Sequence, residues 1–118
     1  MVARFEISDA HAVPGFGMAC QRLLDGADRD GMQPFGAMAC FLAQGGTSEP
    51  DCHEEEEVMI VLAGTGVLDV AGEREQLSPK DVVVLPPNEE HTVVNSGEQT
   101  LEWVSIYWVP NDSGEVGD

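Results

Sequence analysis

The chain has 118 residues, of which 42% are hydrophobic, enough for one compact domain with a single core and too many for global disorder. Asp and Glu number 22 against 5 Lys and Arg, so the net charge is −17. A surface this acidic repels nucleic acid and anionic membranes, and no apolar run approaches the ~20 residues that a membrane-spanning helix needs. Neither nucleic acid nor a membrane is therefore expected as a partner.

The cysteines and the N-terminal residues indicate where the protein works. The first residues lack the basic and apolar stretches of a secretory signal, which favours a cytoplasmic protein. Three cysteines, an odd number, favour free thiols over a disulfide framework. Cys40 lies in an apolar stretch and could face either the core or a pocket, whereas Cys52 is expected to be a buried, unreactive thiol.

Turn residues interrupt the chain every few positions and separate short runs rich in β-branched residues. The stretch 18–24 could be a strand or a helical turn, and 37–43 is a plausible strand. Further strands are predicted over 58–62, 67–70, 82–85, 92–94 and 101–109. Short strands at this spacing predict an all-β domain, closed into a sandwich or a barrel.

The last predicted strand differs from the others because both of its faces are apolar. A strand with one face in water alternates between apolar and polar residues, but 101–109 is apolar at nearly every position after Glu102. One face is expected to meet the core. The other would meet the N-terminal segment or a second subunit, and a homodimer is the simpler interpretation.

Two stretches of the sequence carry residues that can bind a metal ion. Asp51 and His53 share a face of an extended strand, since they are two residues apart. Glu57 would lie ~13 Å from His53 along a straight strand, too far for one ion. The chain must therefore bend within 54–56, so that Glu57 opens the next strand facing His53. His91 would enter from a separate strand and close the site.

Two imidazoles and one carboxylate form the facial set that leaves open positions on a metal ion. We expect one divalent ion, Fe²⁺ or Zn²⁺ first and Mn²⁺ or Ni²⁺ as alternatives. Asp51 is either a fourth ligand or a neighbour that orients a water or acts as a base, so Asp51 and Glu57 are the candidate catalytic residues. Glu55 would replace Glu57 if the bend were tighter.

The arrangement resembles the two motifs of the cupin superfamily. The first motif is Gly, five residues, His-x-His, three or four residues, Glu, six residues, Gly, and its positions hold Gly45, Asp51, His53, Glu57 and Gly64. The second is Gly, five residues, Pro-x-Gly, two residues, His, three residues, Asn, and its positions hold Lys80, Pro86, Asn88, His91 and Asn95. Asp51 replaces a His, which changes the ligand type and charge, whereas Lys80 and Asn88 replace glycines.

The resemblance covers roughly residues 36–110 and implies a cupin-type double-stranded β-helix, or jelly-roll barrel. Residues 1–35 would add N-terminal strands and loops that pack on this barrel. Residues 111–118 form an acidic, Gly-containing tail that is expected to be disordered.

The resemblance implies a range of possible functions, whereas it implies a single fold. It implies a metal-dependent enzyme, such as an oxygenase, lyase or isomerase, acting on a small polar metabolite in a bacterial catabolic or natural-product pathway. The ion would hold the substrate and either activate O₂ or polarise the substrate. The acidic surface favours an amine-bearing or neutral substrate over a phosphorylated one. A non-catalytic binding or sensing domain, or a scaffold subunit, is the alternative, because the fold does not fix the function.

The neighbouring sequence predicts where four further residues lie in the folded protein. Tyr107, Trp103 and Phe41 are expected to pack in the core, with the wall of a pocket as the alternative for each. His11 has no accompanying partner pattern and is expected to lie on the surface.

Overall fold

The computed structural model describes residues 2–25 and 35–109, so the predicted tail of 111–118 lies outside the described residues. Within these ranges the chain forms nine β-strands and one short 3-10 helix, Asp9–His11. The strands are β1 Val13–Gly15, β2 Met18–Asp25, β3 Gly36–Leu42, β4 Glu56–Ala63, β5 Gly66–Val70, β6 Glu73–Leu77, β7 Val82–Leu85, β8 His91–Val94 and β9 Leu101–Trp108. None of the helical structure found there could cross a bilayer.

The strands form two antiparallel sheets. One has six strands in the order β1-β2-β3-β9-β4-β7, and the other has three in the order β6-β5-β8. Two isolated bridges, Thr47 to Val94 and Asp51 to His91, attach the segment before β4 to the outer edge of β8. The all-β prediction is therefore confirmed.

The core lies between the two sheets and follows from the two-residue repeat of the strands. On β4 the buried residues are Glu57, Met59 and Val61, with less buried residues between them. The same alternation on the other strands brings apolar side chains from both sheets into one cluster. This cluster contains Cys20, Cys40, Leu42, Met59, Val61, Leu68, Leu77, Leu85, Val93, Leu101 and Trp103.

The secondary structure of two parts of the chain, β2 and β6, was not determined by the sequence pattern alone. Residues 18–24, left open between strand and helix, lie in β2 and pair with β3. The strand β6 was not predicted, because four of its five residues are exposed and only Leu77 is buried. A strand with so little apolar content carries no periodic signal, and its position depends on pairing with β5.

The two faces of β9 are covered to different degrees. Leu101, Trp103 and Ser105 are buried, whereas the intervening side chains are half-buried. The N-terminal segment is fixed to β2 through Gln21, which donates to the Glu6 carbonyl and accepts from the Ser8 amide, each over 2.9 Å. The predicted homodimer concerns the outer face of the sheet and stays a prediction.

The four positions at which the cupin motifs have glycine all adopt a left-handed backbone. The φ angles are 76° at Gly45, 83° at Gly64, 78° at Lys80 and 65° at Asn88. At Gly64 space is also limiting, since a Cβ there would lie 2.6 Å from the carbonyl oxygen of Thr100. The backbone shape of the motif turns is therefore kept where the glycines are replaced, and Asn tolerates it better than Lys.

We expect Lys80→Gly to stabilise the protein. A left-handed conformation costs an L-residue about 1–2 kcal/mol, and the greater freedom of Gly in the unfolded chain offsets part of the gain. The free energy of unfolding, measured by urea titration, should rise by about 0.5–1 kcal/mol. Lys80→Ala retains the Cβ and is the matched control. An equal gain in both variants would show that removal of the charge, rather than relief of the backbone, is responsible.

Candidate metal centre

The backbone pairing of Asp51 with His91 brings the first two polar side chains together. The Asp51 amide donates to the His91 carbonyl over 3.0 Å, and the His91 amide donates to the Asp51 carbonyl over 2.8 Å. An antiparallel pair that exchanges both bonds places its two side chains on the same face. That face points inwards, because Val93, two residues after His91, belongs to the core.

A bend in the acidic run brings in the next two side chains. The chain turns at Glu54 and Glu55, and β4 begins at Glu56. The Asn88 amide donates to the His53 carbonyl over 2.7 Å and fixes the start of this bend. Glu57 is consequently the first inward-facing residue of β4, so the predicted bend between His53 and Glu57 is confirmed.

The four predicted side chains converge on one small volume. The Nε2 atom of His53 lies 3.2 Å from Oε1 of Glu57 and 3.8 Å from Oδ2 of Asp51, and Nε2 of His91 lies 3.9 Å from the same Glu57 oxygen. Ligand atoms of Asp51, His53 and His91 all lie within 4.8 Å of one another. Asp51, His53 and His91 are thus close enough together to hold one ion, and Oε1 of Glu57 lies beside both imidazoles.

Both imidazole rings are oriented by backbone carbonyls. Nδ1 of His53 lies 3.0 Å from the carbonyl oxygen of Glu55, and Nδ1 of His91 lies 3.3 Å from that of Glu89. A carbonyl can only accept, so it favours the tautomer with the proton on Nδ1, in which a neutral ring turns the lone pair of Nε2 towards the cluster. The cluster thus joins two nitrogen lone pairs to carboxylate oxygens, a donor set that fits a divalent cation.

Two consecutive hydrogen bonds hold the Glu57 carboxylate on the side away from the cluster. The Ser105 hydroxyl donates to Oε2 of Glu57 over 2.6 Å, and the indole N–H of Trp103 donates to Oγ of Ser105 over 3.0 Å. Oε2 of Glu57 is thus occupied by the bond from Ser105, and Oε1 is left to face the cluster. A carboxylate fixed in this way can bind an ion with little loss of side-chain entropy.

Glu55, the alternative to Glu57, lies on the other side of His53. Its Oε1 atom is 3.8 Å from Nδ1 of His53, the nitrogen that already faces the Glu55 carbonyl. Glu57 instead approaches Nε2, which faces Asp51 and His91. The geometry therefore favours Glu57 as the carboxylate of the cluster.

We expect Ser105→Ala to weaken metal binding without abolishing it. Loss of the hydroxyl frees Oε2 of Glu57, and the loss of such outer partners costs about 10–100-fold in affinity. The affinity for Zn²⁺ can be measured by competition with a chromophoric chelator. Ser105→Thr keeps a hydroxyl at the same position and should lose less. Equal affinities in the Ala variant and the unaltered protein would show that Ser105 does not position Glu57.

The cluster lies in the wall of a cavity of about 300 Å³. Trp103 and Tyr107 line it, which is the alternative to the core packing expected for them, and Trp103 is a core residue as well. Phe41 is a buried core residue, as expected, and does not line the cavity. Burial raises the pKa of Tyr107, and Glu55 adds to the shift while Arg22 opposes it, so the phenol is a hydrogen-bond donor at neutral pH. The apolar wall consists of Phe16, Met18, Met38, Met59, Val93, Trp103 and Tyr107.

Three residues outside the metal cluster complete the comparison with the sequence. His11 is exposed in the 3-10 helix, as expected. Cys40 belongs both to the core and to the cavity wall, so the two alternatives for it are not exclusive. Cys52 is exposed, and its prediction as a buried thiol was wrong, because the chain there forms no inner strand whose alternate face is covered.

A model of the cupin domain matches residues 39–107 of the chain. The chain belongs to the cupin family. Among solved structures, a Cupin 2 conserved barrel domain protein from Salinispora arenicola is 27% identical with a TM-score of 0.80, over 92% of this chain and 89% of that one. The polyketide cyclase RemF from Streptomyces resistomycificus is 25% identical with a TM-score of 0.74, over 91% of this cupin and 79% of its own chain.

Sequence reasoning missed the side chains that support the site of this cupin. Ser105 was not singled out, although it follows Leu101 and Trp103 at two-residue intervals on the inward face of β9. A polar residue on the inward face of an apolar strand is the signal that could have indicated it. Arg22 and Ser48, which also line the cavity, carried no comparable signal.

Proposed function

We propose that this cupin is a metal-dependent enzyme that transforms a small organic metabolite in the cavity beside the metal centre. The observation that carries the proposal is the convergence of both imidazole Nε2 atoms with Glu57 Oε1 and Asp51 Oδ2 in the wall of that cavity. A partly buried site with oriented ligands next to space for a small molecule is an arrangement suited to metal-assisted catalysis.

The charges of the side chains suit a divalent ion, with Fe²⁺ or Zn²⁺ proposed first. His53, Glu57 and His91 would hold it, and Asp51 lies close enough to be a fourth ligand. Two carboxylates and two neutral imidazoles would balance its charge. When bound, the ion would polarise an oxygen or nitrogen atom of the substrate.

The exposure of the carboxylates suggests a division of labour between them. The Glu57 side chain is 11% exposed and held by Ser105, whereas that of Asp51 is 42% exposed. We therefore assign Glu57 to holding the ion and Asp51 to moving a proton to or from the substrate. Asp51 has no side-chain hydrogen bond among those of the described residues, which leaves its oxygens accessible for that transfer.

The cavity walls define the class of substrate. Met18, Met38 and Met59 offer adaptable apolar surface, so part of the substrate should be apolar. The Tyr107 hydroxyl can donate one hydrogen bond to it. The acidic side chains around the centre and the net charge of −17 disfavour anionic substrates, so an amine-bearing or neutral molecule is proposed.

The comparison with RemF supports an enzyme over a binding module. That protein is a polyketide cyclase, and at 25% identity it matches 91% of the length of this cupin. It supports a reaction on an organic substrate within this barrel.

The proposal is tested in two stages with protein prepared without chelator. Metal content is first measured after reconstitution with Fe²⁺, Zn²⁺, Mn²⁺ or Ni²⁺ in turn. The loaded protein is then incubated with a bacterial metabolite extract, and depletion of individual compounds is followed by mass spectrometry. We expect close to one ion per chain and depletion of a neutral or amine-bearing compound. Failure to bind any of the four ions would exclude the metalloenzyme.

Asp51→Ala separates catalysis from metal binding. We expect this variant to keep an ion, because His53, Glu57 and His91 remain, and to lose most of the depletion activity, since general acid–base groups contribute about 10²–10⁴-fold. Asp9→Ala removes an exposed carboxylate outside the cluster and should retain both properties. Full activity in the Asp51 variant would remove Asp51 from the mechanism, and a compound that binds without being depleted would favour the non-catalytic alternative.

A further inference from the structure

Two buried cysteines face each other across β2 and β3. The antiparallel register places Cys20 directly opposite Cys40, and both are core residues that are 9% and 1% exposed. Directly opposed residues share a face, with their Cβ atoms about 4.5–5.5 Å apart. A disulfide needs Cα atoms about 4.4–6.8 Å apart, a range that neighbouring strands satisfy without movement of the backbone.

The two thiols interact with each other and differ in character. The neighbouring Cys40 thiol and the charge of Arg22 lower the pKa of Cys20 while burial opposes them, and the Cys20 thiol and burial both raise the pKa of Cys40. In such a pair, the sulfur that ionises more readily can attack an oxidant and become a sulfenic acid. The sulfur that remains a thiol can then react with this sulfenic acid to form the disulfide. Cys40 also lines the cavity, so a small reagent entering there approaches the pair from the Cys40 side, with Cys20 directly opposite in the strand register.

We propose that Cys20 and Cys40 form a reversible disulfide when hydrogen peroxide enters the cavity. The Cys20 thiolate attacks the peroxide, an S–O bond forms, the O–O bond breaks, and hydroxide leaves and takes a proton to become water. The Cys40 sulfur then attacks the Cys20 sulfenic acid. The S–S bond forms, the S–O bond breaks, and the Cys40 proton leaves with the hydroxyl as a second water. Two thiols are oxidised and one peroxide is reduced.

The pair is connected to the metal centre through one residue. Cys40 lies opposite Trp103 in the register of β3 with β9, so Ser105 is its diagonal neighbour, and Ser105 in turn donates to Glu57. Formation of the disulfide removes the Cys40 thiol proton and draws its sulfur towards β2. The oxidation state of the pair is thereby coupled to the bond that positions Glu57. Formation of the disulfide itself requires no bound ion.

The test uses the metal-free Cys52→Ser protein, which removes the exposed thiol and leaves only the pair. The protein is treated with hydrogen peroxide, unfolded in urea, alkylated and analysed by intact mass and peptide mapping. We expect a monomer that has lost two hydrogens, takes up no alkyl group and yields a cross-linked peptide pair containing Cys20 and Cys40. Treatment with dithiothreitol should restore two alkylation sites.

A further Cys20→Ser or Cys40→Ser substitution should abolish the mass loss and leave a single alkylated or singly oxidised cysteine. Alkylation of both cysteines after peroxide treatment of the Cys52→Ser protein would overturn the proposal. Conversion of the cysteines to sulfinic acids without a cross-link would overturn it as well. Because these outcomes come from the protein with the pair intact, they stand even if either further variant fails to fold.

Discussion

Replacement of His91 by Ala is expected to reduce the affinity for Zn²⁺ by more than about 100-fold. Loss of outer partners alone costs about 10–100-fold, and His91 would be a direct ligand. Its Nε2 atom faces Glu57 and its Nδ1 atom is held by the Glu89 carbonyl, so truncation removes an oriented nitrogen donor from the cluster. The backbone bonds between Asp51 and His91 do not involve the imidazole, and the variant should therefore keep its strand pairing.

The measurement is a competition titration with a chromophoric chelator, repeated with Co²⁺, whose visible absorption reports the ligand geometry directly. His11→Ala is the matched control, since it removes an imidazole from the exposed 3-10 helix. We expect the control to bind as the unaltered protein does. Equal losses in the two variants, or none in either, would show that His91 is not a ligand and would remove the basis of the proposed function.

Replacement of Trp103 by Ala is expected to lower the free energy of unfolding by about 3–5 kcal/mol. Trp103 is 2% exposed, belongs to the core cluster and donates its indole N–H to Ser105. The truncation leaves a large void between the sheets and also leaves the Ser105 hydroxyl without its donor. For a domain whose total stability is about 5–15 kcal/mol, this is a large fraction.

Trp108→Ala provides the control on the same strand. Trp108 is five residues further along β9, so it faces the other side of the sheet, where it is half-buried and bonds to Glu56 over 3.1 Å. Its truncation should cost clearly less in a urea titration. If the Trp103 variant does not fold, Trp103→Phe keeps most of the ring volume and isolates the lost hydrogen bond. Equal costs at positions 103 and 108 would contradict the assignment of the core to the inner face.

The strands that the sequence predicts are those that contain enough apolar, β-branched residues to indicate a buried strand. The runs of Val, Ile and Leu in β4, β5, β7, β8 and β9 match the observed strands to within two residues. The strand β6 shows the limit of such reasoning. Its residues Glu73 to Gln76 are exposed, and only pairing with β5 and the burial of Leu77 hold it in place. Those are contacts made by the folded chain, which a local pattern does not contain.

The candidate site divides in the same way. His53, Glu57 and His91 were recognisable because their spacing within the two motifs is local, and the need for a bend followed from strand geometry alone. Ser105 was not, because its bond to Glu57 joins residues 48 positions apart. That contact depends on the register of β4 with β9, in which Glu57 lies opposite Tyr107 and Ser105 is its diagonal neighbour. The position of Asp51 inside the cluster likewise follows from its bridge to His91.

The bond from the Trp103 indole to Ser105 gives this cupin an intrinsic optical reporter. The indole lies one hydroxyl away from Glu57, so a change of charge at that carboxylate alters the electric field along the ring and with it the emission wavelength. The chain has two tryptophans, and a Trp108→Phe variant would leave Trp103 as the single fluorophore. Events at the centre of the barrel could then be followed in real time by fluorescence, without an attached dye.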